Sequence, residues 1–317
     1  MSYASWRGVV GLIKPTMRPG SLEELIRLLP EGIGVLPLFL NIQRGTEDEF
    51  RQVLDAFEEK VGELAQEKVD LIHPEGAPPF MVHGYRGEEK IIKDWEKKFK
   101  IPIVTAGMTQ VEALRALKVK KFVGVTYFTG KINDMFSHYF EEAGFNVMAM
   151  EGIPVAFEDV GRLSSQEVYA HTRKAFLKHP GADAIYMLGS GWRTLDIIHL
   201  LEEDLQVTVV HPIPARLWAI QKRLHVRQPV HGYGQLLESM PQSGRYVDGE
   251  GEGPKGDAER AADERGICQT GAEPFLRSRL RGARGGDRED HREGLGWLRQ
   301  LPQEPARKAG GQGIRRP

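Results

Sequence analysis

The side chains best suited to proton transfer and anion binding fall in a few short segments. His73, Glu75 and Gly76 lie together in residues 71–80, where Glu75 opens a proline-rich loop that runs on through Ala77 and Pro78. A carboxyl drawn into a cleft is pushed up toward neutrality by burial and then serves as a general acid or base; on a surface it is merely solvated. His73 ends an apolar run and can orient Glu75 or bind a metal, although a histidine at a strand end equally serves as a structural hydrogen-bond donor. His211 closes another apolar run, residues 207–210, and carries the same two readings. Gly189, Ser190 and Gly191 form a small-residue loop whose backbone N–H groups can approach an anion closely. Arg193 follows; its guanidinium can clamp a carboxylate with two parallel hydrogen bonds or simply pair with Asp196.

Other chemistries fit less well. The Gly-Ser-Gly triplet lacks the Lys-Ser/Thr of a phosphate loop and the full Gly-x-Ser-x-Gly of a nucleophile elbow. Gly32, Ile33 and Gly34 lead into a strand-like run rather than a helix, against a dinucleotide fingerprint. His73, Glu75 and His211 suit a divalent cation by type, but no tight His-Glu-x-x-His spacing supports one. The spacing therefore supports neither a bound divalent metal nor a dinucleotide.

The elements that must position these residues alternate. Strand-like runs at 9–13, 69–72, 101–104, 122–126, 184–187 and 207–210 are separated by helical patterns at 47–68, 88–100, 110–117, 132–143, 166–178 and 194–205. Strands separated by helices of this length pair in parallel through right-handed crossovers, a doubly wound α/β architecture. The pattern also repeats: Gly11 and Thr16 match Gly124 and Thr129, and Asp70 and Gly76 match Asp183 and Gly189, all 113 residues apart. Residues 100–104 resemble 206–210 after a small length change, each followed by a helical pattern (110–117 and 215–224). Two blocks at one offset predict a duplication: two similar Rossmann-like parallel-sheet domains related by a pseudo-twofold. The first spans 1–117, with the option of completion by a C-terminal helix near 213–240, and the second spans 118–242. Ligands of open α/β sheets bind at the carboxyl ends of strands, so the loops at 14–16, 73–80, 127–130, 189–193 and 211–214 should face one cleft.

Composition bounds the setting. A chain of 317 residues, 40% hydrophobic and 27% charged with a formal net charge of -1, fits a soluble globular protein and gives no nucleic-acid signature. No apolar run approaches the roughly 20 residues of a membrane span, and residues 9–13 read as a strand rather than a signal peptide. The one cysteine, Cys268, rules out an intramolecular disulfide framework, and a cytoplasmic location is the default. From Arg245 the basic residues become almost exclusively Arg amid Gly, Asp and Glu; residues 243–317 read as a disordered tail or a shifted reading frame, with Cys268 inside it. Oligomeric state is not readable.

The globular part, from about residue 8 to 237, resembles arylmalonate decarboxylases and maleate isomerases of the aspartate/glutamate racemase superfamily. The resemblance is carried by collinear segments: Gly11-Leu12-Ile13-Lys14-Pro15, Gly107-Met108-Thr109, Ala113 to Leu117, Thr126-Tyr127, Thr194-Leu195-Asp196 and Gly232-Tyr233-Gly234-Gln235-Leu236. It implies a cofactor-free site in a cleft between two halves, where loop amides and hydroxyls hold a carboxylate and stabilise an enediolate while a cysteine moves a proton. Maleate isomerases instead add a cysteine to a double bond. The resemblance places the two cysteine positions at Gly76 and Gly189, its hydroxyl pair at Ala77 and Pro78, and its carboxylate-binding tyrosine at Tyr127. With Pro15, Gly76, Ala77, Pro78, Gly189, Ser190, Gly191 and Arg193 as the substrate-binding set, Tyr127, Glu75, His73 and His211 remain to do the chemistry. The activity implied is decarboxylation of a small, malonate-like acid; a cis-trans isomerase or racemase and a non-catalytic carboxylate-binding protein are the alternatives.

Overall fold

The structure, a computed structural model, describes residues 3–189 and 191–242; Ser190, Cys268 and the whole of the tail lie outside the described residues. The first half contains β1 (Gly8–Lys14), α1 (Ser21–Leu28), β2 (Ile33–Phe39), α2 (Glu47–Gln52), α3 (Leu54–Gln66), β3 (Leu71–Pro74), α4 (Pro78–Met81), α5 (Tyr85–Phe99) and α6 (Ala106–Ala116). The second contains β4 (Lys121–Thr126), α7 (Lys131–Glu142), β5 (Asn146–Gly152), α8 (Ser165–Leu177), β6 (Ala184–Met187), α9 (Leu195–Leu205), β7 (Thr208–Val210), α10 (Pro212–Arg223) and α11 (Gln235–Ser239). Among the described residues no helix is long and apolar enough to cross a membrane.

Among the described residues all strand pairings are parallel. One sheet has the order β2-β1-β3 and the other β5-β4-β6-β7. The strands starting at Gly8, Ile33 and Leu71 and those starting at Lys121, Asn146 and Ala184 are each 113 residues apart, so the repeat read in the sequence is a repeat of sheet order. The same carboxylate ties the foot of each central strand. Asp70 accepts from the Val9 N–H at 2.7 Å, and Asp183 accepts from the Lys121 N–H at 3.1 Å. The run at 101–104 is not a strand: it makes one parallel bridge, Ile72 to Ile103, because Pro102 has no N–H to continue a ladder. The helical pattern at 47–68 divides into α2 and α3 at Val53.

The amphipathic helices bury one face each. In α5, Tyr85, Glu88, Ile92 and Trp95 recur at helical spacing and are buried, while the intervening lysines and glutamates face solvent. Glu88 is the exception in type. It accepts a hydrogen bond from the Tyr139 hydroxyl of α7, and burial raises its pKa to about 7. Its carboxyl is therefore protonated in the fold at pH values where the unfolded chain has already ionised. The folded state binds more protons from about pH 4.5 to 7, and stability falls across that window as pH rises. Glu88→Gln removes the titration. Denaturation midpoints should match the wild type near pH 4.5 and exceed it at pH 8, by on the order of 3 kcal/mol. Equal midpoints at pH 8 would show that Glu88 is not held protonated.

Helix α10 packs against α6 and α1 of the first half, although it follows β7 of the second sheet. That return brings residues more than a hundred positions apart into one cleft.

Candidate active site

A cleft, partly open to solvent, lies at the carboxyl ends of β1, β3, β4 and β6. Equivalent hydrogen bonds fix its two loops: the Glu75 N–H donates to the Ile13 carbonyl and the Leu188 N–H to the Val125 carbonyl, each at 2.8 Å. Gly76 and Gly189 come next, both with positive φ (+87° and +102°), a conformation that favours glycine. Neither has room for a side chain. A Cβ on Gly76 would lie 2.7 Å from Pro15 Cγ, and one on Gly189 would overlap Tyr127 Cε1 and lie 2.5 Å from Tyr127 Oη.

Tyr127 is held on several sides. The Phe128 N–H donates to Thr126 Oγ1 at 2.9 Å, Thr126 bonds Asn133 at 2.7 Å, and Trp192 meets the Tyr127 ring edge-on at a centroid distance of 5.1 Å. Burial pushes the phenol up to about 12, against an opposing pull from Arg18 and the Gly191 N–H.

The opposite wall is charged. Arg216 of α10 donates to Glu75 Oε1 at 2.8 Å, with both side chains almost wholly buried. Lys14, at the end of β1, donates to Ser21 Oγ at 2.7 Å, and Ser21 in turn bonds Glu75. Burial is the largest influence on Glu75 and would raise its pKa. Arg216, Lys14 and the Ser21 bond outweigh it together and take Glu75 down to about 2. The raised carboxyl expected from sequence therefore meets the opposite environment: Glu75 is an ionised partner of two cations. Lys14 is shifted down, first by burial and then by Arg216, against the pull of Glu75. The Nε and Nη1 of Arg216 are buried without a hydrogen-bond partner among the described residues. Arg18 adds a third cation, its guanidinium 4.0 Å above the Phe157 ring. Of the charged side chains on the lining, Lys14, Arg18 and Arg216 face the single carboxylate of Glu75.

Of the residues singled out from sequence, the structure brings Glu75, Tyr127, Pro15, Gly76, Ala77, Pro78, Gly189 and Gly191 onto this cleft. Ser190 lies outside the described residues. His73, His211 and Arg193 are not on the lining. His73 is fully buried in β3, where burial holds its pKa well below the ordinary value. His211 caps α10: it bonds Thr194 Oγ1 at 2.8 Å and accepts from the Ile213 N–H, and burial followed by Arg216 takes it down to about 3. Arg193 is exposed in a separate surface depression beside Glu24 and Asp196. Sequence reasoning did not single out Lys14, Arg216 or Gln110. Gln110 reaches the cleft from α6 with its amide oxygen accepting from the buried Tyr186 hydroxyl at 2.5 Å, which leaves the amide NH₂ as its remaining donor group.

Two parallel sheets that share the order of their first three strands, with paired glycine loops beside a cleft lined by three cations and one carboxylate, define a duplicated α/β protein. The chain belongs to the arylmalonate decarboxylase family, whose family model matches residues 10–237. It is 26% identical over 144 residues to arylmalonate decarboxylase of Bordetella bronchiseptica; the match spans 44% of this chain and 58% of that relative. Among solved structures it is similar to the maleate isomerase Iso of Pseudomonas putida S16 (TM-score 0.67, 20% identity, 74% of this chain and 99% of that one). A crystal structure of arylmalonate decarboxylase is also similar (TM-score 0.62, 21% identity, 73% and 99%). So is the maleate cis-trans isomerase of Nocardia farcinica (TM-score 0.68, 19% identity, 73% and 98%). At these identities the structural likenesses establish the fold.

Proposed function

We propose that the chain is a cofactor-free decarboxylase of a small dicarboxylic acid, of the malonate type that the decarboxylase relatives' name specifies. The observation that carries this reading is Arg216, a buried guanidinium with two nitrogens lacking partners among the described residues, on the wall of a cleft with three cations to one carboxylate. Burying a cation with unfilled donors is costly, and an anionic ligand removes that cost. A malonate dianion loses carbon dioxide, which is neutral, so both negative charges pass to the enediolate left behind. Cations fixed before the reaction stabilise that dianion without reorganising. Gln110 adds a neutral donor, and the glycine loops let the substrate approach the backbone closely.

Cis-trans isomerisation by thiol addition is the weaker reading, since both loop positions are glycine and the one cysteine, Cys268, lies outside the described residues. The test pairs binding with turnover. Substituted malonates should raise the melting temperature in a concentration-dependent way and release carbon dioxide; at 100 times Kd, binding alone is worth about 2.7 kcal/mol. Conversion of maleate to fumarate would favour the isomerase, and binding with neither reaction would favour a carboxylate-binding protein.

A further inference from the structure

A decarboxylation that ends on an enediolate needs an acid to deliver a proton to the α-carbon, and both loop positions where the resemblance implies a cysteine are glycine. The structure shows what fills the space at the second of them. A side chain grown from Gly189 would start on top of Tyr127 Cε1 and 2.5 Å from both Cζ and Oη, so the Tyr127 phenol occupies the volume a thiol from that loop would enter. We propose that Tyr127 is the proton donor of this site, its hydroxyl standing in for the loop thiol. This rests on the decarboxylase reading and assigns its acid.

The other candidates on the lining are already committed or unsuited: Lys14 donates to Ser21 and is one of the two cations that hold Glu75 ionised. Glu75 is ionised and paired with Arg216, so it has no proton to give. Ser21 bonds both Lys14 and Glu75. Thr16 is an aliphatic alcohol, a much weaker acid than a phenol. His73 and His211 do not line the cleft. Tyr127 does line it, is only half-buried, and has its oxygen engaged by the Gly191 N–H, which can stabilise the phenolate formed when the proton leaves. The step balances. The bond between the α-carbon and the departing carboxylate breaks, its electron pair passes into the enediolate, and neutral carbon dioxide leaves. The enediolate carbon then takes the Tyr127 proton, and the phenolate is reprotonated by water. A carbanion alpha to a carboxylate is far more basic than a phenolate, so the transfer runs downhill even with the phenol raised to about 12.

The test is Tyr127→Phe on the full chain with methylphenylmalonate, whose product is chiral. A fixed donor protonates one face, so the wild type should give one enantiomer. Tyr127→Phe should lower kcat by about 10²–10⁴-fold with KM nearly unchanged, and its residual product should be racemic because water supplies the proton. A raised KM with kcat and enantiomeric purity kept would overturn the proposal and leave Tyr127 as a binding residue. Should Tyr127→Phe lose its fold by circular dichroism, Tyr127→3-fluorotyrosine serves instead, being nearly isosteric but more acidic. A changed kcat supports proton transfer, and an unchanged one overturns it. A wild type inactive on every malonate would remove the decarboxylase reading itself, and this assignment with it.

Discussion

Replacing Arg216 with Met is expected to destabilise the protein by about 3–5 kcal/mol, because it leaves the buried Glu75 carboxylate without its directly bonded counter-charge. Lys14 remains near Glu75, but it reaches that carboxylate through Ser21 rather than by a direct bond. Two further outcomes separate this cause from lost packing. The double variant Glu75→Gln with Arg216→Met should recover most of the loss, since it removes both charges together. The loss should also shrink in acid. With Arg216 present, the folded pKa of Glu75 is about 2 against an ordinary 4.5; the pair's contribution is complete above about pH 4.5 and disappears as pH falls toward 2. Urea midpoints of wild type and Arg216→Met should therefore converge through that window. Parallel curves from pH 7 to 3 would mean that the charge of Glu75 is not what Arg216 compensates. The same variant should abolish the malonate-dependent rise in melting temperature, because the unfilled guanidinium nitrogens are the donors assigned to the ligand.

The fold was legible because it depends on patterns that do not need side-chain detail. Buried parallel strands appear as short apolar runs, and a duplicated sheet appears as one offset; the strand starts at Gly8 and Lys121 and at Leu71 and Ala184 keep that offset of 113. β5 left a weaker trace, because Asn146–Gly152 lies at a sheet edge with partly exposed residues and three methionine or glutamate side chains. The glycine loops and Tyr127 were also accessible, since the repeat and the strand ends determine where they lie. Arg216 was not, because its partner is 141 positions away, across the return of α10 onto the first half. A signal did exist locally. Residues 212–221 of α10 are all buried, and Arg216 is the only charged one among them. A charged residue in a helix that is apolar all round requires a partner, but sequence alone does not say which. The histidines illustrate the reverse problem: His211 ends a strand at the expected edge of the cleft, yet its ring turns back to cap its own helix. Strand position fixes where a residue begins, whereas the helix cap decides where its side chain goes.

Restoring a thiol at the second loop is expected to fail unless Tyr127 is cut back. Gly189→Cys places a Cβ onto the Tyr127 ring and puts a non-glycine residue at φ +102°. Backbone strain of about 1–3 kcal/mol and a comparable cost for overpacking put the expected destabilisation at about 2–5 kcal/mol. The ring has little room to yield, since Trp192 and Phe128 pack against it and Thr126 holds the turn that carries it. Adding Tyr127→Ala to Gly189→Cys should remove the steric part and leave the φ strain, so the double variant should melt above Gly189→Cys alone. The order of stability is the test: a Gly189→Cys protein as stable as wild type would show that Tyr127 does not fill the thiol's place. In a Cys268→Ser background, which leaves the introduced thiol as the sole one in the chain, only the double variant should be alkylated readily by iodoacetamide and protected by a bound malonate. If it also regains the carbon dioxide release that Tyr127→Ala loses, the phenol and the thiol are interchangeable acids at one position in space, reached from two different loops.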